Sequence, residues 1–113
     1  MAALTVFTTV PAEQAQRLAT TLLEQHLVAC VNVLPGVRSL YHWEGRIEST
    51  EESLLLLKCS NDGYPRLQSA LQALHPYEVP EIIAVPISAG LPAYLNWVEQ
   101  NCRGGEPMGA APV

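Results

Sequence analysis

His75-Pro76-Tyr77-Glu78-Val79-Pro80-Glu81 sets an imidazole, a phenol and two carboxylates close together along the chain. Its two prolines fix their own φ and push the residues before them into extended conformations, so a stiff loop presents these side chains. Imidazole suits Zn, Cu and Ni, and carboxylates add negative charge, so His75 with Glu78 or Glu81 can form part of a metal site. The same residues admit a purely structural role, with His75 closing a helix against its dipole and Glu81 paired with a nearby cation. The second cluster is Ser39-Leu40-Tyr41-His42-Trp43-Glu44-Gly45-Arg46. In an extended chain Tyr41 and Trp43 share one face and His42 takes the other. Aromatic residues so placed either line a ligand cleft or clamp a hairpin tip or an interface. Lys58 is the only lysine in the chain and follows a run of leucines. A cation at the end of a buried strand needs an acidic partner, for which Glu81 and Glu78 are the candidates.

The remaining reactive side chains are less suggestive. Cys30, Cys59 and Cys102 are odd in number, widely spaced and without a CxxC, which fits reduced thiols in the cytoplasm. Cys30 lies between Ala29 and Val31 and reads as a small buried hydrophobe. His26 falls on the apolar stripe of the first helix and reads as a packing residue. There is no GxxxxGK[ST], GxGxxG, HExxH or GxSxG, and no local nucleophile-and-base spacing, so the expectation is that the chain is not an enzyme.

These side chains must be positioned by a small set of elements. Leu4 to Thr8 is a β-prone run, and Thr9-Val10-Pro11 supplies a helix start with a hydroxyl near the cap. Ala15, Leu18, Ala19, Leu22, Leu23 and Leu27 then follow the spacing of an amphipathic helix. Val28 to Trp43 and Arg46 to Cys59 are two long β-prone arms joined by Glu44-Gly45, a hairpin whose arms far exceed the usual five or six residues. Pro35-Gly36 predicts a bulge or bend in the first arm. Ser60-Asn61-Asp62 caps a second helix carrying Leu67, Ala70, Leu71 and Leu74, which stops before Pro76. Ile82 to Ile87 is a further strand, and Gly90-Leu91-Pro92 opens a last helix with Tyr94, Leu95, Val98 and Cys102. The order β-α-β-β-α-β plus one helix predicts an α+β, ferredoxin-like domain over residues 1–102. Residues 103–113, with three glycines and two prolines, read as a flexible tail.

Composition points to self-association. The 113 residues are 49% hydrophobic and only 15% charged, which excludes intrinsic disorder and leaves a small domain with more apolar surface than it can bury alone. Leu54, Leu55, Leu56 and Leu57 are apolar on both faces of their strand and need cover on both sides. One layer of helices covers one side, so a second copy is expected to cover the other. Six Lys+Arg against eleven Asp+Glu, with no basic cluster, argues against nucleic acid. No stretch approaches the roughly 20 apolar residues of a membrane span, and the first ten residues lack the basic start of a signal peptide.

Taken in order, Ala29-Cys30-Val31-Asn32-Val33-Leu34-Pro35-Gly36, Ser39 to Ile47, Leu57-Lys58, His75 to Ile82 and Tyr94-Leu95-Asn96-Trp97 make the sequence resemble the CutA family, the divalent-cation tolerance proteins. The resemblance implies a tight homotrimer with long hairpins pairing across subunits, an architecture near the PII signalling proteins, and clefts between subunits. It implies binding of Cu(II) or another divalent cation, with no other tightly bound cofactor. On that basis His75, Glu78 and Glu81 are the expected metal residues and Tyr41, Trp43, Lys58 and Tyr77 the expected cleft lining, with Leu54 to Leu57 at the trimer interface. The alternatives are a PII-like sensor that binds a small anionic ligand through Lys58, and a structural trimer that binds a protein partner. Cys59 departs from the family, which commonly has threonine there.

Overall fold

The computed structural model describes residues 2–102, so the tail expected at 103–113 lies outside the described residues. Strand β1 (Ala3–Val10) leads to helix α1 (Ala12–Glu24), the hairpin β2 (Cys30–Trp43) and β3 (Arg46–Ser60), helix α2 (Tyr64–Leu74), strand β4 (Ile83–Pro86) and helix α3 (Pro92–Gln100). The sheet runs β2-β3-β1-β4, antiparallel throughout, which is the ferredoxin-like plan with one added helix.

Local chemistry explains most boundaries. The hairpin turns on Glu44 and Gly45, both at positive φ (51° and 77°), the two-residue geometry whose twist matches that of the flanking strands. Register shifts between Leu34 and Val37, where Pro35-Gly36 forms the bulge and Gly36 takes φ 74°. Leu34 pairs with Leu54 and Val37 with Glu52, so two residues of β2 stand opposite one of β3. Three local readings differ from expectation. Strand β1 continues through Thr9 to Val10, and α1 begins after Pro11 with no side-chain cap. α1 stops at Glu24, and His26 occupies a left-handed turn (φ 55°) beyond it instead of the helix stripe. Gly63, not the 60–62 cluster, is the N-cap of α2, while the Ser60 hydroxyl accepts the Gly63 N–H at 3.0 Å.

The strand pairing gives each face a distinct composition, since directly opposed residues share a face. Val6, Val10, Leu55, Leu57 and Cys59 pack beneath α1 and α2 with Leu18, Leu22, Leu67 and Leu71, forming the core. Leu55 and Leu57 are fully buried there, so the interface expected of Leu54 to Leu57 reduces to Leu54 and Leu56. Those two lie on the opposite face with Phe7, Leu34, Ile83 and Val85. α3 covers one end of that face, seating Val98 against Ala3 and Ala29. The middle stays open, with Leu34, Ile83 and Val85 exposed.

One core residue has an unmet need. The Thr8 hydroxyl oxygen is buried without a hydrogen-bond partner. Thr8→Val keeps the shape and removes the stranded group, and is expected to raise stability by about 1–3 kcal/mol, read as a higher urea midpoint at unchanged slope.

Candidate functional site

A cavity of about 740 Å³ lies at the end of the open face away from α3, between the distal hairpin and the loop that follows α2. Its walls are Tyr41 and Trp43 with Leu40 and His42 from β2, Thr9 and Glu52 from β1 and β3, and Tyr77, Glu78 and Glu81 from the loop. Three carboxylates line it and, among the described residues, no lysine or arginine does.

The loop is held by His75. Its Nε2–H donates to the Thr9 carbonyl at 2.9 Å, and its Nδ1 accepts the Tyr77 backbone N–H at 3.1 Å. These partners select the neutral tautomer, and burial lowers the imidazole pKa below its ordinary value, partly offset by the Thr9 bond and the Glu52 charge. With its folded pKa below the unfolded value near 6.5, His75 contributes stability in full above about pH 6.5. That contribution falls as pH drops through 6.5 toward the folded value, because the unfolded chain then binds the extra proton. Urea titrations between pH 5 and 7.5 are expected to show this decline in the native chain and a weaker one in His75→Gln.

Glu52 is the residue that the sequence reading missed. It is 4% exposed, and the Tyr77 hydroxyl donates to its Oε2 at 2.5 Å. Burial, then the Glu52 hydrogen bond and charge, push the Tyr77 phenol well above its ordinary pKa, so it remains a donor. Tyr41 reaches Thr50 through its hydroxyl at 2.8 Å, which fixes its ring along the cavity wall.

The expected site residues therefore separate. Tyr41, Trp43, Tyr77, Glu78 and Glu81 do meet around one cavity. His75 stands behind it with both ring nitrogens engaged, and among the described residues no three His, Cys, Asp or Glu side chains converge to hold a metal. One chain alone does not present the ligand set expected of His75, Glu78 and Glu81. Lys58 pairs with Asn32 Oδ1, not with Glu78 or Glu81. It sits six residues along β3 from Glu52, about 20 Å at 3.3 Å per residue, and outside the cavity.

The family model described as CutA1 divalent ion tolerance protein matches residues 4–101. The chain belongs to that family. The divalent-cation tolerance protein CutA of Thermus thermophilus is 45% identical over 97 residues, covering 85% of this chain and 94% of that protein. The chloroplastic protein CutA of Arabidopsis thaliana is 40% identical over 99 residues, which cover 87% of this chain but only 54% of that longer protein. Among solved structures, the PII-like protein CutA from Nostoc sp. PCC 7120 in apo form superposes with a TM-score of 0.85 at 37% identity, covering 92% of this chain and 99% of that one. CutA-like topology and PII-like architecture are thus established for this chain. Among the described residues no helix is long and apolar enough to cross a membrane.

Proposed function

We propose that this CutA-family chain is a homotrimeric cation-binding protein, acting in the cytoplasm, whose cavity captures Cu(II) or a related divalent cation. One observation carries the reading: the cavity has three carboxylates, Glu52, Glu78 and Glu81, and among the described residues no lysine or arginine on its walls. Such a wall attracts cations and repels anions before any contact forms. Glu78 and Glu81 are exposed and free to ligate, whereas Glu52 is committed to Tyr77 and supplies charge from beneath. A neighbouring copy seated on the open apolar face would complete the ligand set that one chain lacks. The three cysteines are all free thiols, in keeping with a reducing compartment.

Calorimetric titration of Cu(II) into the native protein and Glu78→Gln/Glu81→Gln tests it. The double variant is expected to lose at least tenfold in affinity, about 1.4 kcal/mol, while keeping its fold. Equal affinity in both proteins would remove the cavity from consideration.

A second reading has its own observation. Tyr41, Trp43 and Tyr77 give the cavity aromatic walls, which suit a small organic ligand held as in a PII-like sensor. With Lys58 outside the cavity, a cationic or neutral ligand fits better than the anionic one expected through Lys58. Calorimetry with a panel of small amines and acids separates the two readings.

A further inference from the structure

Glu52 gives the cavity a floor whose charge is not balanced. The side chain is 4% exposed, and the Tyr77 hydroxyl donates to its Oε2 at 2.5 Å. Its Oε1 takes no donor among the described residues and is not shut off from solvent, so this oxygen opens into the cavity that Glu52 lines. Burial, then the Glu52 hydrogen bond and charge, keep the Tyr77 phenol protonated, so Tyr77 supplies one bond and no positive charge. A buried carboxylate needs a cation or a full set of donors. Among the described residues no lysine or arginine on the cavity wall provides either. Glu78 and Glu81, both exposed, form a second anionic locus on the loop above. The rings of Tyr41, Trp43 and Tyr77 line the same cavity.

We propose that the cavity binds a linear alkyl diamine as its dication, one ammonium on Glu52 Oε1 and the other at Glu78 and Glu81. This rests on the second reading above, in which the cavity takes a small organic ligand, and names the class of that ligand. Two anionic loci, one buried and one exposed, call for two positive heads. Each head is a primary ammonium, because the unfilled Oε1 accepts and a quaternary nitrogen has no N–H to give. Tyr77 has spent its proton on Glu52, so towards a ligand its oxygen also accepts. The rings serve the rest of the molecule: they cover methylene groups and attract an ammonium held over their faces. Binding is electrostatic and apolar throughout, and both ammoniums keep their protons.

Calorimetry on the full chain, at low salt and near-neutral pH, is the test. The probes are 1,4-diaminobutane, 1-aminobutane, N-acetyl-lysine amide and butanedioate. The diamine is expected to bind roughly tenfold more tightly than either single-headed amine, and butanedioate not to bind. Glu52→Gln is expected to weaken the diamine and 1-aminobutane alike, by roughly tenfold, since it keeps the Tyr77 bond but loses the charge. Glu78→Gln/Glu81→Gln is expected to bring the diamine down to the level of 1-aminobutane and to leave 1-aminobutane unchanged. A general loss of negative charge would not produce that split. Trp43→Leu is expected to cost roughly two- to fivefold. Lys58→Ala is expected to bind as the native chain does, and circular dichroism shows whether each variant folds. Equal affinity for N-acetyl-lysine amide and the diamine, or a folded Glu52→Gln that binds the diamine as the native chain does, overturns the proposal. Butanedioate binding in place of the amines overturns it and leaves the cavity as an organic-ligand site. Silence from all four probes overturns the second reading with it.

Discussion

Tyr77→Phe is expected to lower stability by about 1.5–3 kcal/mol, although it removes a single oxygen atom. The Tyr77 hydroxyl is the one hydrogen-bond donor that reaches Glu52 among the described residues, and Glu52 is almost wholly buried. Removing it leaves a carboxylate inside the protein with no partner, which costs far more than the bond's net worth. Glu52→Gln is expected to cost less, since its amide oxygen still accepts from Tyr77. Combining Tyr77→Phe with Glu52→Leu is expected to cost less than the two single changes summed, because no charge remains to be stranded. Urea unfolding at one fixed protein concentration reads the native chain, the three single variants and the double variant. A loss below 0.5 kcal/mol for Tyr77→Phe, an ordinary surface value, would mean that water reaches Glu52 freely.

Leu56→Asp is expected to yield a folded monomer, and Leu55→Asp an unfolded chain. Leu56 lies on the open face beside Phe7 and Asn32, its paired neighbours in β1 and β2. In a single chain the new carboxylate points to solvent and disturbs little. Sealed against another copy it would cost several kcal/mol, repeated in every subunit of a closed assembly. Leu55 is fully buried under the helices, so the same charge there has no water to turn to. Light scattering with circular dichroism separates the outcomes. A Leu56→Asp protein with the same oligomeric state as the native chain would place any subunit contact elsewhere.

Much of the fold was legible because the signals were local. The 3.6-residue spacing of Leu18 and Leu22 marked α1, Glu44-Gly45 marked the turn, and Leu54 to Leu57 announced a strand with two apolar faces. What was not legible depended on pairing across the sheet. Glu52 sits in the polar run Ser49 to Ser53, which reads as solvated; only the register with Val37 and the cover of Tyr77 bury it. A usable signal was present, since Glu52 shares the parity of Leu54 and Leu56. Lys58 was matched with a distant acid because spacing does not reveal that Asn32, on the adjacent strand, reaches it first. For His75, residue type suggested a ligand, but the fate of each ring nitrogen depends on a carbonyl 66 positions away.

The bulge at Pro35-Gly36 separates two properties of the long hairpin that are otherwise tied together. Its extra residue is absorbed before the pairing resumes at Val37 and Glu52, so Ser39, Tyr41 and Trp43 continue the face begun by Leu34. Shortening the arm by one residue there would leave the same side chains over the cavity and remove only the local bend. The aim of the distal arm, and hence how far it reaches over a neighbour, is therefore adjustable by single insertions or deletions without rewriting the chemistry it carries. Substitution tunes the lining; length tunes the reach.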